Sequence, residues 1–190
     1  MTGKRPQVDI ALVHHPVVNK HGETIGSAVT NLDLHDIARA ARTFGVENYY
    51  VITPYTDQQA MVREICDHWQ TGHGATRNPA RKSALELIRI SSSLDETLEC
   101  ICRQRLVRPL ILSTSARPQS NTLSYGAARE LIASGRPLLL LFGTAHGLAP
   151  EISAMADHCL PPISGSTNYN HLSVRSAVSI IFDRLLSVST

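Results

Sequence analysis

Short apolar runs alternate with helical segments along the chain, and this alternation restricts the fold more than any other feature of the sequence. The most apolar run, Pro137–Phe142, reads PLLLLF, and Val8–His14 reads VDIALVH. Runs this apolar are typical of strands in a sheet that is covered on both faces. Apolar residues recur at helical spacing in Thr30–Phe44 and in His171–Ser187. The pattern predicts an α/β fold in which helices flank a mostly parallel sheet.

The segments between these four also follow the alternation. We predict strands at Asn48–Thr53, Leu85–Ser91, Pro109–Ser113 and Asp157–Pro161, and helices at Gln58–Gln70, Leu94–Arg105 and Ser124–Ser134. Two glycines, an asparagine and a proline make Thr71–Pro79 a predicted loop. Because the chain contains no internal repeat, low-complexity stretch or linker, residues 1–190 are predicted to form a single domain.

Charge and composition exclude several classes of protein. A net charge of +2 excludes a strongly basic, histone-like protein, although a local basic patch remains possible. An aromatic share of 5% is too small for a platform on which bases stack. No apolar run is long enough for a signal peptide or a membrane span. We therefore expect a cytoplasmic protein without a membrane partner.

Two sets of side chains resemble metal ligands, the pair His14 and His15 and the trio Cys66, His68 and His73. Neither set is accompanied by a carboxylate-supported cluster, so no metal is expected. The spacing of the four cysteines matches neither a zinc knuckle nor a disulfide framework, which favours buried, reduced thiols.

A glycine-containing loop follows the most apolar predicted strand. The segment Leu138–Leu148 reads LLLLFGTAHGL and contains Gly143 and Gly147. Glycines at the carboxyl end of a parallel strand let the backbone approach a ligand closely, at the edge where α/β sheets bind ligands. The spacing matches neither a Walker loop nor a dinucleotide fingerprint. Taken alone, a glycine loop after a strand is more often an ordinary turn than a binding site.

A second polar segment leads into the last predicted helix. Leu160–Ala177 reads LPPISGSTNYNHLSVRSA, and its small polar residues offer many hydrogen-bonding groups with little bulk. This composition suits the edge of a ligand pocket. The alternative is a capped helix start, with Asn170 or Ser173 as the N-cap.

Together the two segments resemble the last two motifs of the SPOUT (α/β-knot) RNA methyltransferases. There, a strand leads into a G-x-x-x-G-L loop and a short helix, and a later strand ends in an Ile- and Ser/Gly-containing loop before an N-x-S-V-type helix start. Leu141–Gly143 and Gly147–Leu148 match the first motif, and Ile163 and His171–Val174 match the second.

A third SPOUT motif, a helix that begins near N-x-G-N-I-x-R and ends F-G-V, is similar to Leu34–Val46, which reads LHDIARAARTFGV. The three matches are in the family's order and span nearly the whole chain. This sequence departs from the family at His35-Asp36, where Gly-Asn is common, and at His171, where Asn is common. The loop Pro16–Ala28 is also longer than in the family. These departures bear on the subfamily and on the target atom.

The resemblance implies an S-adenosyl-L-methionine-dependent methyltransferase acting on RNA, either tRNA or rRNA, with ribose oxygen and base nitrogen both open as targets. It also implies a C-terminal trefoil knot and a homodimer with active sites at its interface. The cofactor is expected in loops at three strand ends, bound largely through backbone groups. The expected cofactor-binding residues are Leu112, Ser113, Thr114, Leu141, Phe142, Gly143, Gly147, Leu148, Leu160, Ile163, Asn170, Leu172 and Ser173.

Arg39 is the expected catalytic residue, because the resemblance places an arginine on the polar face of this helix. The expected RNA-binding residues are Arg39, Arg42, Arg77, Arg81 and Lys82, the last three as a basic clamp in the acid-free segment 71–85. A merely solvated surface is the alternative for each. A non-catalytic RNA-binding relative and a generic nucleotide-binding or small-molecule α/β enzyme are the alternative functions.

Overall fold

A computed structural model describes residues 6–71 and 76–188. The strands are β1 (Val8–Val13), β2 (Val17–Val18), β3 (Thr24–Ile25), β4 (Asn48–Ile52), β5 (Ile88–Ser91), β6 (Leu110–Ser113), β7 (Leu138–Gly143) and β8 (His158–Cys159). The helices are α1 (Asn31–Thr43), α2 (Thr56–Gln70), α3 (Pro79–Leu85), α4 (Leu94–Arg105), α5 (Tyr125–Ala133), α6 (Pro150–Ala154) and α7 (Val174–Leu186).

Six strands form one parallel sheet in the order β5-β4-β1-β7-β6-β8. The two central strands are the apolar runs of the sequence, and β1 pairs with β7 from Val8 opposite Leu138 to Val13 opposite Gly143. All six residues of β1 are buried. The predicted α/β fold with a mostly parallel sheet is confirmed, and the knot stays a prediction.

Apolar clusters cover both faces of the sheet. One face packs against α1, α2, α3, α5 and α7, and the other packs against α4 and α6. Helix α7 begins at Val174 rather than His171, because the Ser173 hydroxyl accepts a hydrogen bond from the Ser176 amide and caps the helix there. Its buried residues Val178, Ile181 and Phe182 face the sheet. Among the described residues, no helix has the length and apolarity that a membrane crossing requires.

The structure corrects the prediction for residues 71–91. The basic segment is helical over Pro79–Leu85, and the strand that follows begins at Ile88 rather than Leu85. The reason is local, since the Asn78 side chain accepts a hydrogen bond from the Arg81 amide and Pro79 occupies the first helical turn. The glycines at positions 72 and 74, with His73, lie outside the described residues.

The long loop Pro16–Ala28 contains a small hairpin that the sequence did not reveal. Its strands β2 and β3 pair antiparallel over two residues each. The Val18 amide donates to the Gly147 carbonyl, and the His146 amide donates to the Val18 carbonyl. The additional length of this loop therefore packs against the glycine loop after β7.

Candidate functional site

A cavity of about 1380 Å³ lies at the carboxyl edge of the sheet, where β1, β6 and β7 end. Most of its wall is formed by four segments, within residues 27–33, 113–121, 142–148 and 161–177, and residues of the loop Pro16–Ala28 and of α6 contribute to the rest. The four segments are the loops after β6 and β7, the approach to α1 and the approach to α7. Parallel α/β sheets bind ligands at this edge.

The glycine loop after β7 needs glycine at two positions for two different reasons. A β-carbon on Gly143 would lie 2.6 Å from the Leu148 amide nitrogen and 2.9 Å from the Gly147 carbonyl carbon. Gly147 has open space around it but a φ of +118°, which side chains of L-residues rarely allow. The loop is thus folded closely on itself at Gly143 and open to the cavity at Gly147.

Most residues expected to bind the cofactor line the cavity. Those on its wall are Ser113, Thr114, Phe142, Gly143, Gly147, Leu148, Ile163, Asn170, Leu172 and Ser173. Leu112, Leu141 and Leu160 are not on the wall, because their side chains are buried in the core. Leu141 nevertheless places the loop after β6, since its carbonyl accepts hydrogen bonds from the Thr114 amide and hydroxyl at 3.1 and 2.9 Å. Their contact with a cofactor stays a prediction.

Hydroxyl groups tie the approach to α1 to the glycine loop. The Ser27 and Thr144 hydroxyls are hydrogen-bonded to each other, and Thr144 donates to the Val13 carbonyl at 3.0 Å. Behind them, the Nδ1 atom of His14 lies 3.2 Å from the Ser27 hydroxyl. His14 is fully buried and its Nε2 has no partner among the described residues. Burial lowers the pKa of His14 to about 4, so the ring is neutral near pH 7.

This buried imidazole makes stability depend on pH. Because the pKa of His14 falls from 6.5 in the unfolded chain to about 4 in the folded one, the unfolded state binds the proton more tightly. The free energy of unfolding should therefore fall by up to about 3 kcal/mol as the pH is lowered from 6.5 to 4. Denaturant titrations of the wild type and His14→Asn measure the effect. The exposed His21 gives the control His21→Asn, and an equal pH dependence in all three proteins would contradict the assignment.

An ion-pair cluster at the cavity was not predicted from the sequence. Arg175, in the first turn of α7, places Nη1 2.8 Å from Oδ1 of Asp33 and Nε 3.4 Å from Oδ2 of Asp36. The Thr30 hydroxyl donates to Oδ2 of Asp33 at 2.6 Å. Thr30, Asp33 and Arg175 line the cavity. No local signal announces the pair, because its two members are 142 residues apart in the chain.

The residues expected to bind RNA lie outside the cavity. Arg39 and Arg42 are exposed on α1, and Arg77 is exposed before α3. Arg81 is half-buried, with its guanidinium 4.7 Å above the Trp69 ring, and Lys82 is also half-buried. The two belong to helix α3, so the basic segment predicted to clamp RNA is not a loop at these two positions. Their contact with RNA stays a prediction.

The residues considered as metal ligands do not gather. In residues 6–71 and 76–188, no group of three or more His, Cys, Asp or Glu side chains is arranged to hold a metal ion. His14 is buried behind the cavity wall, while the neighbouring His15 ring packs edge-on against Tyr55.

Residues 7–187 match the protein family described as SAM-dependent RNA methyltransferase. A relative from Oleidesulfovibrio alaskensis, called tRNA (guanine-N(1)-)-methyltransferase, is 44% identical over 93% of this chain. The chain spans only 41% of that relative's length. An uncharacterised protein from Aquifex aeolicus is 41% identical, and the match covers 95% of this chain and 88% of that protein.

Solved structures show the same fold at low sequence identity. A methylase family protein from Haemophilus influenzae superposes with a TM-score of 0.63 at 17% identity, over 94% of this chain and 64% of that one. The TrmH/SpoU tRNA modifying enzyme from A. aeolicus gives 0.57 at 15% identity, over 97% and 76%. The SpoU methyltransferase AviRb from Streptomyces viridochromogenes, in complex with AdoMet, gives 0.60 at 15% identity, over 96% and 60%.

Proposed function

Since this chain belongs to the family of SAM-dependent RNA methyltransferases, we propose that it transfers the methyl group of S-adenosylmethionine to RNA in the cavity at the carboxyl edge of its sheet. The proposal rests on one observation above the others, the glycine loop Gly143–Leu148. A loop that tolerates no β-carbon at Gly143 and opens to the cavity at Gly147 leaves backbone groups accessible to a ligand.

The wall of the cavity suits this cofactor. Around the glycine loop it is built from small polar groups such as Ser113 and Thr114, and from apolar side chains such as Ile163. An adenosine needs hydrogen-bonding groups at its polar edge and apolar contact on its faces. At about 1380 Å³, the cavity also exceeds the roughly 300–1,000 Å³ of a typical small-molecule pocket. The additional volume leaves room for a target nucleotide beside the cofactor.

The protein's contribution to this reaction is mainly positioning. When bound, the cofactor supplies an activated methyl group, and transfer requires the nucleophile, the methyl carbon and the sulfur to lie in line. Holding reactants in such an arrangement accounts for a large part of catalysis. The hydrogen bonds among Ser27, Thr144 and Val13 hold the glycine loop against the approach to α1, and so fix two sides of the cavity.

RNA is the acceptor in the proposal, with tRNA favoured by the names of two relatives. Those relatives are more than twice as long as this chain, so their name does not say which of their parts modifies guanine N1. Ribose oxygen and base nitrogen therefore both remain candidate targets. Exposed Arg39, Arg42 and Arg77, together with Arg81 and Lys82, supply the basic surface for RNA in the proposal. We also propose that the protein is cytoplasmic and that residues 1–190 form a single domain.

Transfer of labelled methyl groups from S-adenosylmethionine to purified tRNA and rRNA tests the proposal directly, with calorimetric titration of the cofactor alongside. Incorporation into RNA supports it. If the protein binds the cofactor but no label enters RNA, RNA is not the acceptor. If it binds RNA but not the cofactor, the result favours a non-catalytic RNA-binding protein. Mass spectrometry of nucleosides from a deletion strain and its parent then identifies the modified atom.

The proposal includes a homodimer in which α7 contributes to the interface. Leu172 and Val188, which flank α7 on either side, are 46% and 85% exposed, while Ile180 and Leu186 on the helix are half-buried. A helix that is apolar around much of its circumference is stabilised by burial on more than one side. A second copy would cover this surface on both chains by twofold symmetry. Light scattering measures the assembly, and a monomer would overturn it.

A shared active site would explain why exposed Arg39 lies off the cavity of its own chain. Arg39→Ala should keep cofactor affinity and reduce methyl transfer about 100-fold or more, through lost positioning. Mixed with a cofactor-dead Gly147→Val variant, it should recover about a quarter of wild-type activity, because half of the dimers are mixed and each has one working site. No recovery after verified subunit exchange would place Arg39 in its own chain's site.

A further inference from the structure

Arg175 differs from the other cations near the cavity. Among the described residues, Arg117 and Arg175 are the arginines on the cavity wall, and no lysine lies there. Arg117 is exposed and its side chain makes no ion pair in the described part of the chain. Arg175 is held by Asp33 and Asp36, and its side chain is 31% exposed. It is therefore a positioned cation that solvent still reaches.

The carboxylate that holds Arg175 is itself fixed. The side chain of Asp33 is 8% exposed and accepts from both Arg175 and the Thr30 hydroxyl, while the Asp33 amide donates to that hydroxyl. On the arginine, Nη1 and Nε face the two carboxylates, and Nη2 makes no bond to another described residue. A guanidinium has five N–H groups in a planar fork, so donors remain for a ligand.

The pair with Asp33 stabilises that nearly buried carboxylate, but two other features of the position do not favour a cation. Arg175 lies in the first turn of α7, where the helix dipole disfavours positive charge. The contact with Asp36 is open to solvent on both sides, at 31% and 50% exposure, and such pairs contribute little to stability. The arrangement is better explained by a ligand that needs a positively charged group at the cavity.

We propose that Arg175 contacts a phosphate of the target nucleotide and so orients the RNA over the cofactor, an inference that rests on the proposed function. An arginine fork matches phosphate geometry, and its fixed partners hold it in place before the RNA arrives. The Arg175 side chain is accessible both from the cavity and from solvent. This position suits contact with a polymer that extends beyond the cavity. The carboxylate of the cofactor is the competing anion, and the experiment separates the two.

The test compares Arg175→Gln with the double variant Asp33→Asn/Arg175→Gln. The double variant also removes the carboxylate of Asp33, so it does not leave a nearly buried charge without its partner. Both should bind RNA about 10-fold or more weakly than the wild type. The slope of the logarithm of RNA affinity against the logarithm of salt concentration should fall by about one. Their calorimetric affinity for S-adenosylmethionine should stay within about twofold of wild type, because the contact is with RNA. Asp33→Asn alone keeps the cation and should keep the salt slope.

Arg103→Gln is the matched control, since it removes the same charge from α4 on the opposite face of the sheet. An unchanged salt slope in the double variant would show that Arg175 only joins α1 to α7 and would overturn the proposal. Weakened cofactor binding with unchanged RNA binding would also overturn it, in favour of the cofactor's carboxylate. RNA affinity is measured without methyl transfer. A failure of the Arg175 proposal can therefore be distinguished from a failure of the proposed function, which would appear as absence of methyl transfer by the wild type.

Discussion

Gly143→Ala should raise the dissociation constant for S-adenosylmethionine about 100-fold or more. The added β-carbon would lie 2.6 Å from the Leu148 amide nitrogen, and because that atom belongs to the backbone, the loop must shift to restore ordinary contact. Loss of two backbone hydrogen bonds to the cofactor, at about 1.4 kcal/mol each, corresponds to a factor of about 100 in affinity. Isothermal titration calorimetry gives the affinity, and chemical denaturation shows whether the fold is retained.

Two further glycine variants separate loop geometry from a general effect of alanine. Gly126→Ala makes the same chemical change in α5, where the new β-carbon would be 3.8 Å from the Ser124 hydroxyl, and it should leave cofactor affinity unchanged. Gly147→Val should also abolish binding, but with some loss of stability, because a β-branched residue is strained at a φ of +118°. If Gly143→Ala binds the cofactor with wild-type affinity, the glycine loop is not part of the cofactor site.

Arg105→Met should lower the free energy of unfolding by about 3–5 kcal/mol near pH 7, because it leaves a buried carboxylate without its cation. Asp9 is fully buried at the start of β1, and its Oδ2 accepts from Nη2 and Nε of Arg105 at 2.7 and 3.2 Å. The Asn48 amide donates to the other oxygen at 2.8 Å. Even so, burial raises the pKa of Asp9 above its ordinary value. Urea titrations measure the loss.

Two controls accompany this prediction: the pH dependence of the stability of Arg105→Met, and a variant that breaks an ion pair at the surface. Removing Arg105 raises the pKa of Asp9 further, so the folded state takes up a proton more readily than the unfolded state, and Arg105→Met should regain stability as the pH falls. Arg108→Met breaks the exposed pair with Asp157 and should cost less than about 1 kcal/mol. Equal losses in the two variants would show that burial does not govern the Asp9 pair.

The predicted elements agree with the structure where the sequence signal is local. Helix α4 spans Leu94–Arg105 as predicted, and its start is fixed locally, since the Ser93 hydroxyl accepts a hydrogen bond from the Glu96 amide. The glycine loop was predicted from its composition, and it does line the cavity. In both cases the information lies within about a dozen neighbouring residues.

The features that were missed depend on contacts between distant parts of the chain. Strands β2 and β3 have only two residues each, too few to show an alternating pattern, and the hairpin is held by its contact with Gly147. The pairing of Arg175 with Asp33 joins the last helix to the first. Arg81 is a predicted member of the basic clamp, yet its guanidinium packs over Trp69 of α2, a contact that charge alone does not indicate.

The strand order divides the sheet into two halves that are made at different times. Strands β5, β4 and β1 come from residues 8–91, and β7, β6 and β8 come from residues 110–159. Among the described strands, the two halves of the sheet are joined by the pairing of β1 with β7. Pairing β1 with β7 requires contacts between residues more than a hundred positions apart in the chain. Such non-local pairing makes folding slow.

A ribosome that adds about 5–20 residues per second needs roughly 6–25 s to travel the 125 residues from Val13 to Leu138. Throughout that interval, one edge of β1 presents unpaired backbone groups on a strand that is apolar except for Asp9. Open edges of this kind pair readily with other chains. A nascent chain that stalls before β7 emerges therefore exposes an aggregation-prone edge that the finished protein conceals at the centre of its sheet.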